Sequence, residues 1–327
     1  MDIIEILSSN NIKKAKENIL KADKIITTLS LTKSKEDKYK NAYNLYIEAG
    51  NIYKFEGKIA QALIAYSKGL ECCEKMKQLN GLLKSVAMEN ATTTAVEIAR
   101  LSKQINDPNV IRYYKTALDM LYGSSNINLI GKLWCEYAKI YRNQAMIINE
   151  ESNNENYNIA IEAYKKAIKF YISSGYYYTT SMKPLNECIN LMIITNKYKN
   201  IIQEFDAIIS NDYSGPALYW LLRGAFINTM FCSMICENFT ITKNRIQEYL
   251  NYVGNNSISQ KDANFLMQIM NAIESNDKNM FDEIISTYNT SNHLNTYTIK
   301  LLVNLKTKYF DNILNDNDKK KMYKEIL

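Results

Sequence analysis

One pattern constrains this chain more than any other. An aromatic side chain is followed three positions later by a small or apolar one, and the pair recurs at Tyr66/Gly69, Tyr114/Ala117, Tyr164/Ala167 and Phe205/Ile208, with a weaker copy at Tyr249/Tyr252. The interval is about 40–50 residues, the spacing of stacked helical hairpins. The fullest copy reads Tyr46-x2-Ala49-Gly50-x2-Tyr53-x3-Gly57-x4-Ala62-x3-Tyr66-x-Lys68-x-Leu70. Large and small residues alternate at helical spacing, so two helices can interlock, and Gly57 falls where the first must stop. A second copy runs Trp134-x2-Tyr137-Ala138-x2-Tyr141, then Ala160-x3-Tyr164-Lys165-x-Ala167-Ile168. No unit of this kind buries its apolar face alone, so successive hairpins must stack.

The pattern is close to that of tetratricopeptide repeats. It predicts an all-α chain: a solenoid of helical hairpins, laid out as a twisted sheet of antiparallel helices over 1–254, capped by a C-terminal helical bundle and tail over 255–327, the whole folding as one cooperative unit. Beyond about 255 the repeat fades. There Phe265, Leu266, Ile269, Met270 and Ile273 share one helical face, Phe281, Ile284, Ile285 and Tyr288 mark another helix, and Leu294, Thr298, Leu301, Leu305 and Lys308 a third. Asp107-Pro108 can start a helix, whereas Gly123-Ser124-Ser125, Ser173-Ser174-Gly175 and Asn149 to Asn156 read as linkers or a solvated loop. Ten glycines and three prolines in 327 residues are too few for phosphate loops or turn-dense β folds, and no period-2 run appears.

The chain has 46% apolar and 23% charged residues, enough for a sizeable core. Its formal net charge is +6 and its pI about 8.7. That mild basicity suits a groove for an acidic partner better than nucleic-acid binding, which usually takes clustered charge and a pI above ~9. His293 is the single histidine, so multi-histidine metal sites are excluded, and it lacks a patterned nucleophile or carboxylate. The six cysteines follow no disulfide framework; Cys72-Cys73 cannot both face one metal, and Cys232-x3-Cys236 has no third ligand nearby. They read as small apolar residues of a reducing cytosol, and Met1-Asp2-Ile3-Ile4 is no secretory leader. The apolar stretch 218–239 is interrupted by Arg223 and reads as a buried helix opening near Ser214-Gly215-Pro216. No catalytic set, cofactor motif or small-molecule site emerges.

Four stretches resemble the soluble NSF attachment protein (SNAP) family, the adaptors of SNARE disassembly. They are Ala42-Tyr43 with Ile47-Glu48-Ala49-Gly50-Asn51-Ile52-Tyr53-Lys54; Tyr137-Ala138-Lys139-Ile140-Tyr141 with Ala160-Ile161-Glu162-Ala163-Tyr164; Leu221-Leu222-Arg223-Gly224-Ala225-Phe226 through Cys232; and the run from Lys261 to Lys306. The resemblance covers nearly the whole chain and is closer to the alpha than to the gamma type. It implies a non-enzymatic adaptor whose basic concave face lies against the acidic four-helix SNARE bundle. The adaptor then recruits and stimulates the AAA+ ATPase NSF, in the cytoplasm and peripherally at membranes.

The resemblance also nominates residues. Lys132, Lys183, Arg223 and Lys261 match basic positions of the alpha type and are expected to contact SNAREs; Glu187 departs from the pattern, where the family tends to have lysine. The segment 25–31, between a first helix of about 3–22 and the Tyr43 helix, occupies the place of the family's apolar membrane-touching loop, so Ile25, Ile26, Leu29 and Leu31 are expected at a membrane, flanked by Lys21, Lys24, Lys33 and Lys35. Ile326 and Leu327 match the apolar end that engages the ATPase, although Lys319-Lys320-Lys321 dilute the acids around them. The competing reading is a generic tetratricopeptide-like scaffold or co-chaperone subunit. Its tight basic clamp is not evident, because the nominated basic residues are spread from 132 to 261.

Overall fold

The computed structural model describes residues 3–28, 34–79, 82–122, 125–148, 155–173, 178–209, 216–253 and 257–310, and among them are fourteen α-helices and no strand. Contacts between helices divide the chain into two compact units, 1–126 and 127–327.

The first unit holds α1 (Ile3–Thr27), α2 (Lys35–Phe55), α3 (Ile59–Gln78), α4 (Lys84–Gln104) and α5 (Val110–Leu121). Each packs on the next. One core cluster joins Ala15, Ala49, Tyr53, Ala62, Leu63, Tyr66, Ile98 and Leu101; another joins Ala22, Ala42, Tyr43, Tyr46, Cys72, Cys73, Met76, Ala87 and Ala91. Early residues of α2 thus meet late residues of α1 and α3, so neighbouring helices are antiparallel. The interlock is close: a Cβ placed on Gly50 would lie 3.0 Å from the Tyr66 ring. Burial pushes the Cys72 and Cys73 thiols up to about 12, leaving them uncharged, as apolar packing requires.

The second unit holds α6 (Ile127–Ile148), α7 (Glu155–Ser173), α8 (Tyr178–Ile194), α9 (Tyr198–Ile209), α10 (Pro216–Cys236), α11 (Phe239–Val253), α12 (Ser257–Glu274), α13 (Lys278–Asn292) and α14 (Thr296–Tyr309). The apolar stretch is α10, and it is a hub that touches α8, α9, α11, α12 and α14. Phe226, Phe231, Cys232 and Met234 on it are fully buried. Phe226 stacks on Tyr249 at 3.8 Å, with Phe205 5.9 Å from Tyr249. No helix among the described residues is long and apolar enough to cross a membrane.

The last helix folds back. Lys300 Nζ donates to the carbonyls of Ile193 and Ile194 at 3.0 and 3.1 Å, at the end of α8. Lys308 Nζ and the Tyr309 hydroxyl donate to Ile235 and Met234 carbonyls at 2.7 and 2.8 Å, at the end of α10. Cations are favoured at helix C-termini, where carbonyls lack partners. The α14 helix therefore caps two others while burying Ile299, Leu301, Leu302 and Leu305.

The repeat reading holds. Tyr66, Tyr114, Tyr164, Phe205 and Tyr249 are all buried, on α3, α5, α7, α9 and α11. The turns were legible only in part. Gly57 adopts φ +68° where α2 stops, as expected. The same left-handed position is taken by Asn106, Asn196 and Asn276 after α4, α8 and α12, at φ 51°, 54° and 54°. In each, the next amide reaches back five residues: Lys58 to Tyr53 at 2.8 Å, Asp107 to Ser102 at 2.9 Å, Lys197 to Met192 at 2.8 Å and Asp277 to Ala272 at 2.9 Å. This is the Schellman closure, and asparagine tolerates it better than other side chains. Asparagine doing glycine's work accounts for a hairpin solenoid with so little glycine. His293 also takes a left-handed φ, 47°, at the end of α13, but there its own amide donates to the Asn289 carbonyl and the Leu294 amide to the Asn289 side chain at 2.8 Å.

Two details differ from expectation. The first helix continues to Thr27 rather than stopping near 22, because Ile25 and Ile26 extend its apolar face onto the core. Asp107-Pro108 lies before the helix it announces: Asp107 Oδ1 accepts from the Asn109 amide at 2.7 Å and α5 begins at Val110. The readings of 149–154, 174–175, 214–215 and Gly123-Ser124 as linkers or turns fall outside the described residues.

Asn276→Val should lower the unfolding free energy by about 1–2 kcal/mol, since a β-branched residue resists φ near +54°, whereas Asn276→Gly should hold or raise it. Urea titration of both variants checks the contrast, and equal losses would count against the turn assignment.

Candidate functional site

The basic side chains of the second unit fall into two populations. One spans helices. Arg142 on α6 pairs with Glu187 on α8 at 2.5 Å, Lys165 on α7 with Glu204 on α9 at 2.8 Å, and Arg245 on α11 with Asp206 on α9. Lys243 on α11 pairs with Glu274 on α12 at 3.1 Å, and Lys306 on α14 with Asp282 on α13 at 2.6 Å. These charges are neutralised within the fold.

The other population faces water. Lys132 is exposed on α6, beside Gly131, whose opposite side meets the Tyr171 ring. Lys183 is exposed on α8 and Lys261 on α12. None of the three has an ion-pair partner among the described residues. Lys261 also borders a cavity of about 630 Å³ between α12 and α13, with Gln260, Asn264, Gln268, Glu283 and Thr287 on its walls.

Arg223 is different in kind. Its Nε and Nη2 donate to the two carboxylate oxygens of Asp262 at 2.6 and 2.9 Å. Nη2 also reaches the Tyr288 hydroxyl at 3.1 Å and Asn292 Oδ1 at 2.7 Å. The Tyr288 hydroxyl donates to Asp262 at 2.5 Å, and its ring stacks on Phe265 at 3.7 Å. The Asp262 side chain is 0% exposed and that of Arg223 only 24%. Burial, then the bond to Asp262, raises the Tyr288 hydroxyl well above its ordinary pKa, so it stays a donor. Arg223 is thus a bidentate clamp joining α10, α12 and α13. The expectation of a solvent-facing arginine misses this, because Asp262 lies 39 residues further on and no local pattern couples the two.

Glu187 is also accounted for. Where the resembled family tends to have lysine, this chain places a carboxylate bound to Arg142. The local charge is cancelled rather than reversed.

In the first unit, Ile25 and Ile26 are half-buried and pack on the cluster around Ala22 and Tyr43. A cavity of about 350 Å³ lies beside them, lined by Asp23, Ile26, Tyr39, Tyr46, Lys68 and Lys75. Burial pushes the Asp23 carboxyl up, but hydrogen bonds from Tyr46 at 2.5 Å and Lys68 at 2.9 Å outweigh it and hold the group below the usual carboxylate range. Leu29, Leu31, Ile326 and Leu327 lie outside the described residues.

A sequence profile of the soluble NSF attachment protein family, SNAP, matches residues 13–309, which span both units. The chain belongs to the SNAP family. Among its relatives is a probable vesicular-fusion protein, the sec17 homologue of Neurospora crassa, 19% identical over 281 residues, covering 84% of this chain and 88% of that one. The corresponding protein of Schizosaccharomyces pombe is 20% identical over 271 residues, covering 83% and 87%. At such identity about one side chain in five is shared with either relative.

For this SNAP the two populations of basic residues make different predictions. Arg223→Ala leaves Asp262 buried without its counter-charge and should cost roughly 3 kcal/mol of stability. Lys132→Ala, Lys183→Ala and Lys261→Ala should each stay within about 0.5 kcal/mol of the parent, as exposed substitutions do. Chemical denaturation of the four variants checks this; a loss at Lys132 as large as at Arg223 would contradict the division.

Proposed function

We propose that this chain is a SNAP-type adaptor of vesicle fusion and intracellular protein transport, not an enzyme. It binds the assembled, acidic four-helix SNARE bundle and recruits and stimulates the AAA+ ATPase NSF, which takes the bundle apart. The observation that carries this reading is the family match, which runs through nearly all the described helices. The named role of the two fungal relatives in vesicular fusion supports the transport step.

Lys132, Lys183 and Lys261 are the direct SNARE contacts in this reading. Exposed and without ion-pair partners among the described residues, they can meet an acidic rod, and diffuse complementarity is enough to steer and register it. Arg223 belongs to the same face through its exposed edge, with its charge shared with Asp262. Ile326 and Leu327 engage the ATPase. The protein acts on the cytosolic side, peripherally attached to membranes through the segment around Ile25, Ile26, Leu29 and Leu31. No cofactor, nucleic acid or small-molecule substrate enters the scheme.

The test is a disassembly assay with purified chain, assembled SNARE bundle, ATPase and ATP. Release of free SNAREs only when the chain is present is the expected result. Neither binding nor release with cognate partners would overturn the reading in favour of a tetratricopeptide-like scaffold. The triple reversal Lys132→Glu, Lys183→Glu, Lys261→Glu should weaken bundle binding by about tenfold or more at low salt, with the difference narrowing as salt rises. Equilibrium binding across a salt series reads it; an unchanged affinity would remove the basic face. Deletion of Ile326 and Leu327 should leave bundle binding intact and slow ATP-driven release, and equal release rates would remove that contact.

A further inference from the structure

Helices α12 and α13 form an antiparallel pair, with Phe265 of one stacked on Tyr288 of the other at 3.7 Å. The cavity of about 630 Å³ between them is in the size range of ligand sites. Of the side chains around it, the function proposed above uses Lys261 alone. The walls are polar in a regular way. Asn264 and Gln268 stand four apart on α12, and Glu283, Thr287 and Ser291 follow at intervals of four on α13; all five are exposed.

Residues four apart on a helix share a face and lie about 6 Å apart along its axis. An extended chain repeats every two residues, at about 6.6 Å, with alternate side chains on the same side. Successive carboxamides on α12 therefore match successive backbone groups of one extended segment, and each carboxamide can both donate and accept. A helical partner offers no such backbone groups, because its own are already bonded. The cleft thus suits an extended segment rather than a helix of the SNARE bundle.

The two ends of the cleft carry opposite charge. In the antiparallel pair Lys261 lies across from Ser291 at one end, and Glu283 lies across from Gln268 at the other. Neither has an ion-pair partner among the described residues. Glu283 and Ser291 are eight positions apart, about 12 Å of helix, and four extended residues span about 13 Å. The matching segment carries a base and an acid four positions apart, an even interval that puts both on one side.

This chain holds such a segment. Phe310, just after α14, meets Phe281 with ring centroids 5.4 Å apart, and Lys306 pairs with Asp282 at 2.6 Å. Residues 311–327 therefore leave beside the start of α13, near the Glu283 end of the cleft. A segment entering from that end meets Glu283 first and Lys261 last, so its base must precede its acid. Within 311–327 a base is followed four positions later by an acid once, at Lys321 and Glu325. The eleven positions from Phe310 to Lys321 can reach about 36 Å, three times the width of a helix, enough to pass round α13.

We propose that residues 321–325 dock in the α12–α13 cleft as an extended segment, with Lys321 on Glu283, Glu325 on Lys261 and Tyr323 between Asn264 and Thr287. Exposed ion pairs contribute little singly, but the tether supplies a local concentration that is roughly millimolar. The consequence rests on the function proposed above. Ile326 and Leu327, the ATPase contact, follow directly on Glu325, and a SNARE bundle that takes Lys261 displaces Glu325. A loaded adaptor thereby frees its tail for the ATPase, and an unloaded one withholds it.

The test is disulfide trapping in the whole 327-residue chain under copper–phenanthroline oxidation, with the intramolecular product identified by peptide mass mapping. Asn264→Cys with Tyr323→Cys should cross-link about tenfold faster than Asn264→Cys with Met322→Cys, because position 322 faces out of the cleft. Pairing with a native cysteine registers as a different mass. Adding Glu283→Lys should slow the 264–323 cross-link about threefold, the scale of an exposed ion pair, and further adding Lys321→Glu should restore it. Asn264 and Glu283 are exposed, so helicity should hold, which circular dichroism checks. Equal rates at 322 and 323, or no restoration by the charge swap, would overturn the docking. Saturating SNARE bundle should slow the 264–323 cross-link, and a bundle that binds without slowing it would overturn the displacement at Lys261. Failure of the adaptor reading shows differently, as absence of bundle binding with the cross-link intact.

Discussion

Aromatic rings pressed between neighbouring helices set their spacing: Tyr66 and Tyr171 lie against glycines, and Phe205 and Tyr249 against each other and Phe226. The Tyr66 ring over Gly50 and the Tyr171 ring over Gly131 are the tightest cases, with no room for a methyl group without displacement. Close approach of this kind fixes the separation and rotation of a helix pair, and that rotation decides which residues remain outside. On α6, Gly131 lies against Tyr171 and Leu133 is fully buried, while Lys132 between them is exposed.

On that frame the charges divide by what they hold. Pairs such as Lys165–Glu204 and Arg245–Asp206 link helices two apart in sequence, and the Arg223–Asp262 clamp links three. Ion pairs of this sort contribute less by net energy than by fixing geometry, since burying both charges offsets much of their attraction. Lys132, Lys183 and Lys261 belong to the exposed lysines that have no ion-pair partner among the described residues, and the proposed SNARE contact draws on these three. The net charge of +6 understates the division, because many acids and bases cancel inside the fold.

The two units put their apolar exposure in different places. In the second, α10 hides its phenylalanines beneath α9, α11, α12 and α14, and the lysines of α14 satisfy the ends of α8 and α10. In the first, Leu82, just before α4, is left in water. The same physics that buries one set of leucines leaves the other available.

The sequence by itself determined the helical class, the buried anchors at 66, 114, 164, 205 and 249, and the burial of the long apolar helix, because helix periodicity and aromatic spacing are local properties of the chain. It also carried the family resemblance. It did not reveal that asparagine closes three of the hairpins, since Asn is common in loops and only a left-handed φ marks its role. Nor did it reveal that Arg223 is bound to Asp262, that Glu187 is neutralised by Arg142, or that Ile25 belongs to a helix rather than a loop. Those facts depend on which side chains meet across dozens of residues. Tertiary packing alone decides that, because a charge or an apolar side chain acquires its meaning from what stands opposite it.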